Sequence, residues 1–416
     1  ANDYNPVAVL IEKCTLEYPQ KYGKKLVDDV KRWGEWVLEE AKKELAQFYP
    51  NDKEEGSKQK RLADSAEESV AFGYIWARTI KCQNPNCEAE IPLIRQLWLA
   101  NKAKRKIALD IDNKGREVTF RIKEVNQVKK CESKCSCKYC SGTVSRSNAE
   151  CPICKSVTNA EDTRKQFLEG KSGEHIIAVA IQSSGNQGKK YRVAKKEDMD
   201  IYNKSENYLT NKLNKLANEW GMNPIPDEPL KRVPVSFGVI NVWFYGIDNW
   251  GKLFNSRQKL SLLVLTEKVR SAHEKMIKDK YEPDYAKAIT TYLGMVITKL
   301  SVKSCNASVW HRGSEEIERT LAMGAIPMQL DYAESNILKE DTSSGFKANL
   351  WQILDSLVPL IDLNKHAKVL NSSATEMPFQ DNFFDAVLTD PPYYDNIPYS
   401  YISDFFYVWF KRSIGH

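Results

Sequence analysis

The chain has 416 residues, of which 28% are charged, 42% hydrophobic and 10% aromatic, a composition typical of a globular protein with ample material for a core. Its length allows two or three domains, or one catalytic core with a large insertion, and no apolar run is long enough to cross a bilayer. A net charge of +6 is compatible with a polyanionic partner but too small to indicate one. Most of the ten cysteines fall in close-spaced groups, as metal sites do in reduced compartments, so we expect a cytoplasmic protein.

The first residues predict a strand end that passes into a helix. Asn5 suits the N-cap, and Pro6 suits the first helical position because the N–H that proline lacks would be unpaired there anyway. A long amphipathic helix is predicted for 24–48. The glycine-rich turn that normally precedes such a junction in a nucleotide-binding α/β fold is absent, so we expect the chain to begin inside a domain.

A β-rich segment with closely spaced cysteines follows, with strands predicted at 69–80, 92–99, 106–111 and 118–125. Cys151 and Cys154 have the spacing of a zinc knuckle, and Cys82 and Cys87 form a second pair whose turn contains Pro85. These four thiolates predict a tetrahedral, structural Zn²⁺ site. The remaining cysteines of the segment form a second site, compete for the first, or hold an insertion; they are Cys131, Cys135, Cys137 and Cys140.

Basic residues lie in or beside the same segment: Lys102, Lys104, Arg105, Lys106, Lys129, Lys130, Lys134 and Lys138. They either contact nucleic-acid phosphates or form a solvated charged face, and the sequence favours neither alternative.

Beyond the cysteines the pattern becomes mainly helical. A hairpin is predicted across 175–194, and helices are predicted at 198–220, 256–279, 283–304, 315–322, 347–360 and 400–410. Asn255 or Ser256 would cap the second of these helices. A brief strand is predicted at 368–370.

The stretch 384–396 is the strongest candidate for a catalytic site. Its apolar residues at 384–388 predict a short buried strand of a mostly parallel sheet, which ends at Asp390-Pro391-Pro392. Open α/β sheets bind ligands at the carboxyl ends of such strands. The alternative is a proline-rich turn with two surface tyrosines.

The residue types of this motif suit chemistry on an exocyclic amine. Asp390 and a carbonyl of the rigid Pro391-Pro392 turn would accept hydrogen bonds from an amine such as adenine N6 and direct its lone pair at an electrophilic methyl group. Tyr393 would stack on a base held out of the duplex. The rim of the pocket would be formed by Tyr394, Asp395 and Asn396, although the last two also suit an ordinary turn.

This motif, with the aromatic stretch 403–409, resembles a family of adenine-specific DNA methylases, which are large prokaryotic amino-methyltransferases with an inserted cysteine-rich segment. Other matching stretches are 3–8, 76–79 followed by Cys82 and Cys87, 250–254 with Arg257-Gln258, and 325–328 with Asp331 and Glu334. The resemblance implies an α/β fold: a Rossmann-like S-adenosylmethionine-dependent methyltransferase core, incomplete in this chain, interrupted by a β-rich zinc-ribbon insertion and extra helices. Residues 1–68 would be the first part of the core, 69–200 the insertion, and 201–416 a helical segment with the second part of the core.

The resemblance also implies functional roles. S-adenosylmethionine would be the methyl donor, with Asp3 at its ribose hydroxyls and Asn5 shaping the adjacent loop, and DNA would be the partner. The glycine-rich cofactor loop of the family is absent, and Ser373 occupies the position of an acidic residue in many related enzymes. We therefore expect an internal fragment that binds the cofactor poorly and is inactive alone.

Adenine N6 in DNA is the expected target of the complete enzyme. Cytosine N4 and RNA are alternative substrates for the same chemistry. A catalytically silent zinc-ribbon module that binds nucleic acid, or a nucleotide-binding α/β protein of another kind, are alternatives of different classes.

Overall fold

The computed structural model describes residues 1–52, 69–125, 137–182, 188–232, 240–318, 320–321, 325–340, 342–362, 367–391 and 399–415. Helices and strands both contribute to the core of these ranges, so the prediction of a mixed α/β protein is confirmed at that level. None of the helices described is long and apolar enough to span a membrane.

The strands, in chain order, are β1 (Asn2–Asp3), β2 (Asn51–Asp52), β3 (Ser69–Lys81), β4 (Glu90–Leu93), β5 (Trp98–Lys102), β6 (Arg105–Lys114), β7 (Glu117–Glu124), β8 (Val144–Ser145), β9 (Asn148–Glu150), β10 (Val157–Thr158), β11 (Gly173–Gln182), β12 (Lys189–Val193), β13 (Val309–His311), β14 (Glu316–Glu318), β15 (Asp331–Ser335) and β16 (Leu370–Asn371). The helices are α1 (Pro6–Glu12), α2 (Tyr18–Leu45), α3 (Ala160–Leu168), α4 (Lys196–Trp220), α5 (Ser256–Lys278), α6 (Pro283–Ser301), α7 (Phe346–Leu357) and α8 (Tyr399–Ile414).

Strand β3 is the centre of the main sheet, whose order is β12–β11–β3–β15, with β2 and β4 pairing to opposite ends of β3. All of these pairings are antiparallel, and four of the six strands, β3, β4, β11 and β12, lie in the segment predicted as a β-rich insertion. The mostly parallel sheet predicted for the core around 384–388 stays a prediction. The strands are joined by hairpins and long excursions rather than by the repeated helical crossovers that a parallel sheet needs. Only β1 and β16 form a parallel ladder between the described strands.

The main sheet is covered on both faces. On one face, Tyr74 and Trp76 join the core that α2, α5 and α6 form. On the other face, Ile75 and Ala77 pack against the three-stranded sheet β5–β6–β7. Side chains of a strand alternate between faces, so the aromatic and aliphatic run of β3 supplies both cores at once.

The helical layer follows the predicted apolar stripes. Gly23 has a left-handed φ of 58° that breaks α2, and the segment after it buries Leu26, Val30 and Val37 completely, in agreement with the helix predicted for 24–48. Gly34 lets α7 approach closely, since a Cβ at this position would lie 2.5 Å from Leu350 Cδ2. The predicted caps are also confirmed: Asn5 caps α1, and Asn255 caps α5 with a capping box completed by Gln258.

Two predictions are wrong. Where a helix is predicted at 315–322, the described residues up to Glu318 instead form strand β14, which pairs with β13 in a hairpin. Ile317 is buried and its neighbours Glu316 and Glu318 are exposed, and this alternation with a period of two suits a strand. The buried strand predicted at 384–388 is irregular and exposed, with 65% of Val387 and 95% of Leu388 accessible to solvent. No described strand pairs with it, and an unpaired strand cannot satisfy its backbone N–H and C=O groups.

Candidate functional site

The four predicted zinc ligands converge. The Sγ atoms of Cys82, Cys87, Cys151 and Cys154 all lie within 4.8 Å of one another, with Cys82–Cys154 at 3.6 Å and Cys87–Cys151 at 3.8 Å. A tetrahedral site with Zn–S bonds of about 2.3 Å requires sulfur atoms about 3.8 Å apart. The donor set and its spacing therefore fit a zinc ion.

Backbone hydrogen bonds hold the two knuckles of this cluster. The amide of Cys82, just after β3, donates to Ala89 O at 2.8 Å, and the amide of Cys87 donates to Asn84 O at 2.9 Å. On the opposite knuckle, Lys155 N donates to Cys151 O at 3.0 Å. The cluster joins the β3–β4 loop to the turn after β9 and caps a small core, so its position indicates a structural site.

The thiols of one knuckle differ in acidity. Burial raises the pKa of Cys151 to about 12, whereas a hydrogen bond with Ser156 Oγ lowers the pKa of Cys154 to about 6. A bound zinc ion would hold all four cysteines as thiolates. Ser156 therefore contacts the candidate metal site, and the sequence motif does not single it out.

The second cysteine group is described only in part. Cys137 Sγ lies 3.1 Å from Cys140 Sγ, and Cys140 N donates to Cys137 O at 3.0 Å, a turn similar to those of the first site. Trp98 Nε1 donates to Cys140 Sγ at 3.4 Å. Cys131 and Cys135 lie outside the described residues, so a second zinc site stays a prediction.

The first residues of the chain meet the segment around Leu370 at the parallel pair β1–β16. Asp3, the residue expected at the cofactor ribose, pairs with Asn371, and its Oδ1 accepts a hydrogen bond from Asn5 N at 2.7 Å. Asn5 Oδ1 caps α1 by accepting from Val7 N at 2.9 Å, and its Nδ2 donates to Ser403 Oγ of α8 at 2.9 Å. The segment expected at the cofactor thereby contacts the helix that follows the Asp-Pro-Pro motif.

The Asp-Pro-Pro motif itself is described only at its beginning. Asp390 and Pro391 are exposed and irregular, and upstream of them the rings of Phe379, Phe383 and Phe384 contact one another with centroids 4.7–4.9 Å apart. The remaining predicted residues of this motif, Pro392, Tyr393, Tyr394, Asp395 and Asn396, lie outside the described residues. Their roles stay predictions.

Residues from three of the matching stretches converge on one buried carboxylate. Glu334 in β15 is fully buried and accepts hydrogen bonds from Arg257 Nε at 2.5 Å and Arg257 Nη2 at 3.0 Å. Trp76 Nε1 donates to it at 2.8 Å and Asn255 Nδ2 at 3.0 Å. The guanidinium of Arg257 also lies 3.9 Å from the ring centroid of Tyr74. All of these side chains are buried and already engage one another, so the network is structural and joins the main sheet to the start of α5.

Several side chains of the predicted basic surface are paired with carboxylates. Lys102 and Arg105 pair with buried Glu315, at 2.7 Å and 2.5 Å, and Lys138 pairs with Asp110 at 2.5 Å. Lys129, Lys130 and Lys134 lie outside the described residues.

A different basic cleft lies between the hairpin β6–β7 and the main sheet, with a volume of about 800 Å³. Its cations are Lys81, Lys114, Arg116, Lys195 and Lys196. Sequence reasoning misses this set because its members are scattered along the chain and only the tertiary structure groups them.

Comparisons of the sequence with family models and with curated proteins, and of the structure with solved structures, gave no match.

Proposed function

We propose that this chain is part of an S-adenosylmethionine-dependent DNA methyltransferase that modifies the N6 amine of a flipped adenine, with a Rossmann-like core completed by residues other than the described ones. The observation that carries the proposal is the pairing of β1 with β16. It brings Asp3 and Asn5, the expected cofactor residues, against the segment and the helix that flank the Asp-Pro-Pro motif. Methyl transfer needs donor and acceptor held side by side, and this contact supports such an arrangement.

The residues at the end of β1 suit the ribose of the cofactor. One carboxylate oxygen of half-buried Asp3 is held by Asn5 N, and the second accepts no hydrogen bond from a described residue, so it is available to two adjacent hydroxyl groups. When bound, S-adenosylmethionine supplies an electrophilic methyl group. The contribution of Asn5 is to fix the turn that presents Asp3, through its bonds to α1 and α8.

On the acceptor side, Asp390 would orient the amine. Its carboxylate is exposed, so a flipped base can reach it and donate a hydrogen bond from the exocyclic N–H, which turns the nitrogen lone pair toward the methyl group. Proton acceptance by a carboxylate hydrogen-bonded to the amine then accompanies transfer. The four-cysteine cluster lies in the β-rich segment and would keep that segment folded.

The test is methyl transfer from isotopically labelled S-adenosylmethionine to DNA by the full-length protein, with nucleosides identified by mass spectrometry. Asp390→Ala should abolish transfer while leaving DNA binding intact. Asp385→Ala is the matched control, because Asp385 is an exposed carboxylate on the same segment. Loss of activity in both variants, or in neither, would contradict the role of Asp390.

The second candidate is a catalytically silent zinc-ribbon module that binds nucleic acid, which the assembled cysteine cluster favours. For such a module the wild-type protein would bind DNA and yield no methylated nucleoside. Product identity also separates the substrates, since methylcytosine or a methylated ribonucleoside would replace methyladenine in DNA.

A further inference from the structure

We infer that the basic cleft between β6–β7 and the main sheet binds the phosphodiester backbone of a single DNA strand. The choice of DNA rests on the proposed function; the cleft itself rests on its own geometry. None of its cations is among the residues expected to bind the cofactor, the flipped base or zinc.

The cleft has walls from three parts of the chain. Its floor is formed by β3 and β11 near Thr79 and Ile177, and one wall is formed by the β6–β7 turn and β7. The opposite wall is the end of β12 and the first turn of α4. A volume of about 800 Å³ is at the upper end of the range for ligand sites, which suits a few nucleotides of one strand and not a duplex.

Cations outnumber anions around the cleft. Five basic side chains, on β3, on the β6–β7 turn and at the start of α4, face three carboxylates, Glu88, Glu90 and Glu117. Lys81, Lys114 and Lys196 are exposed, and none of them makes an ion pair with another residue of the described ranges.

Glu90, the carboxylate beside Thr79 of the floor, is already paired with a histidine. Glu90 Oε1 lies 3.2 Å from His175 Nε2 and also accepts a hydrogen bond from Thr79 Oγ1. The hydrogen bond from His175 lowers the pKa of Glu90 to about 2, and the same bond raises the pKa of His175. The acid therefore repels an incoming phosphate less than an isolated carboxylate would.

The walls also offer apolar surface for bases. Val118 and Phe120 of β7 and Met199 of α4 line the cleft, and Phe120 is only partly buried. An aromatic ring beside lysines is the combination with which proteins hold single strands without reading their sequence, because every base has a face that can stack. Phosphate contacts position the strand and carry no base information.

The loop of the four-cysteine cluster lies along one side of the cleft. Arg116 Nη2 donates to Asn86 O at 3.2 Å, in the loop between Cys82 and Cys87, and Glu88 to Glu90 follow that loop into the cleft. This hydrogen bond connects the loop of the four-cysteine cluster to the hairpin turn that carries Lys114 and Arg116.

The experiment measures binding of a fluorescein-labelled single strand of about 12 nucleotides to the full-length protein by anisotropy across a salt series. Lys114→Glu/Lys196→Glu reverses two cleft charges. Lys24→Glu/Lys278→Glu is the matched control, because these lysines are exposed on the helical layer, away from the cleft, and make no ion pair with a described residue. All variants are first checked for wild-type thermal unfolding.

We expect the cleft variant to bind the strand at least about tenfold more weakly at about 0.1 M salt, and its salt slope to fall by about 0.7 for each lost phosphate contact. The control should change neither quantity by more than about twofold. Equal losses in both variants, or no loss in the cleft variant, would overturn the assignment. A duplex that binds the wild type as tightly as the single strand would overturn the single-strand part of it.

The same measurements separate this inference from the proposed function. If the wild-type protein binds the strand through the cleft but transfers no methyl group, the inference about the cleft is supported and the proposed methyltransferase function is refuted. If methyl transfer depends on Asp390 but the cleft variant binds the strand as the wild type does, the proposed methyltransferase function is supported and the inference about the cleft is refuted.

Discussion

Replacing the buried carboxylate Glu334 by glutamine should destabilise the protein strongly. The side chain of Glu334 is 0% exposed and that of Arg257 is 1% exposed, so the substitution leaves a guanidinium charge inside the protein without its counter-ion. Burial alone would disfavour the charged form of Arg257, and the adjacent carboxylate raises its pKa above the ordinary value. This elevation is lost in the variant, but arginine stays protonated in proteins even without a partner, so the loss cannot be relieved by deprotonation.

The magnitude follows from the contacts. Glu334 accepts two hydrogen bonds from Arg257 and one each from Trp76 and Asn255. A glutamine side chain can accept through only one oxygen, so at least one of these buried donors is left unsatisfied. Removal of one partner from a buried ion pair costs about 3–5 kcal/mol, and we expect a loss in that range.

The assay is urea denaturation followed by tryptophan fluorescence, to which Trp76 contributes directly. Glu318→Gln is the control. The Glu318 side chain is 52% exposed and lies 3.7 Å from His311, so this substitution should lower the free energy of unfolding by no more than about 0.5 kcal/mol. The double variant Arg257→Met/Glu334→Gln should lose less unfolding free energy than the two single variants lose together, because Arg257→Met removes the unpaired charge. A loss of less than about 1 kcal/mol in Glu334→Gln would refute the stabilising role of the network.

Two further predictions concern the cysteine-rich segment. Cys151→Ser should remove one equivalent of zinc per chain, measured by elemental mass spectrometry. The control is Cys305→Ser, which changes a buried cysteine outside the cluster and should leave the zinc content unchanged. An unchanged zinc content in Cys151→Ser would exclude this site. Glu90→Gln should lower the pKa of His175 toward its ordinary value of 6.5, measured by NMR, because Glu90 is the largest cause of its elevation. Glu90 has a lowered pKa, so its contribution to the stability of the fold is present above about pH 4.5 and is lost as the pH falls toward 2. His175 has a raised pKa, so its contribution is present below about pH 6.5 and is lost as the pH rises through the elevated pKa. Both side chains are more than a third exposed, so the pair should contribute less than about 1 kcal/mol to the free energy of unfolding. An unchanged pKa of His175 in Glu90→Gln would contradict the contact.

Local signals in the sequence are sufficient for most helices and for the first metal site. Asn5-Pro6 and Asn255 mark helix starts because a cap depends only on neighbouring backbone groups, and the structure places both caps as expected. The four-cysteine cluster is recognisable for a related reason: each cysteine pair lies in a local turn with a characteristic spacing, so only the meeting of the two turns depends on the fold.

Pairing between distant strands is decided by the tertiary structure. The apolar run 384–388 has the composition of a buried strand, but a strand forms only where a partner takes its hydrogen bonds, and none of the described strands pairs with it. The main sheet is antiparallel, with β15 from the third predicted segment pairing to β3 of the second. No local pattern encodes that choice of partner, because it depends on surfaces that are far apart in sequence.

The same division applies to charge. The sequence by itself determined which residues carry charge and where the cysteines lie, since these are properties of individual side chains and short turns. Only the tertiary structure decided that Lys102 and Arg105 are held by Glu315, while Lys114 and Lys196 remain exposed at one cleft. The physical reason is that salt screens the field of an exposed charge over about 10 Å, so its partners are set by the folded neighbourhood and not by position along the chain.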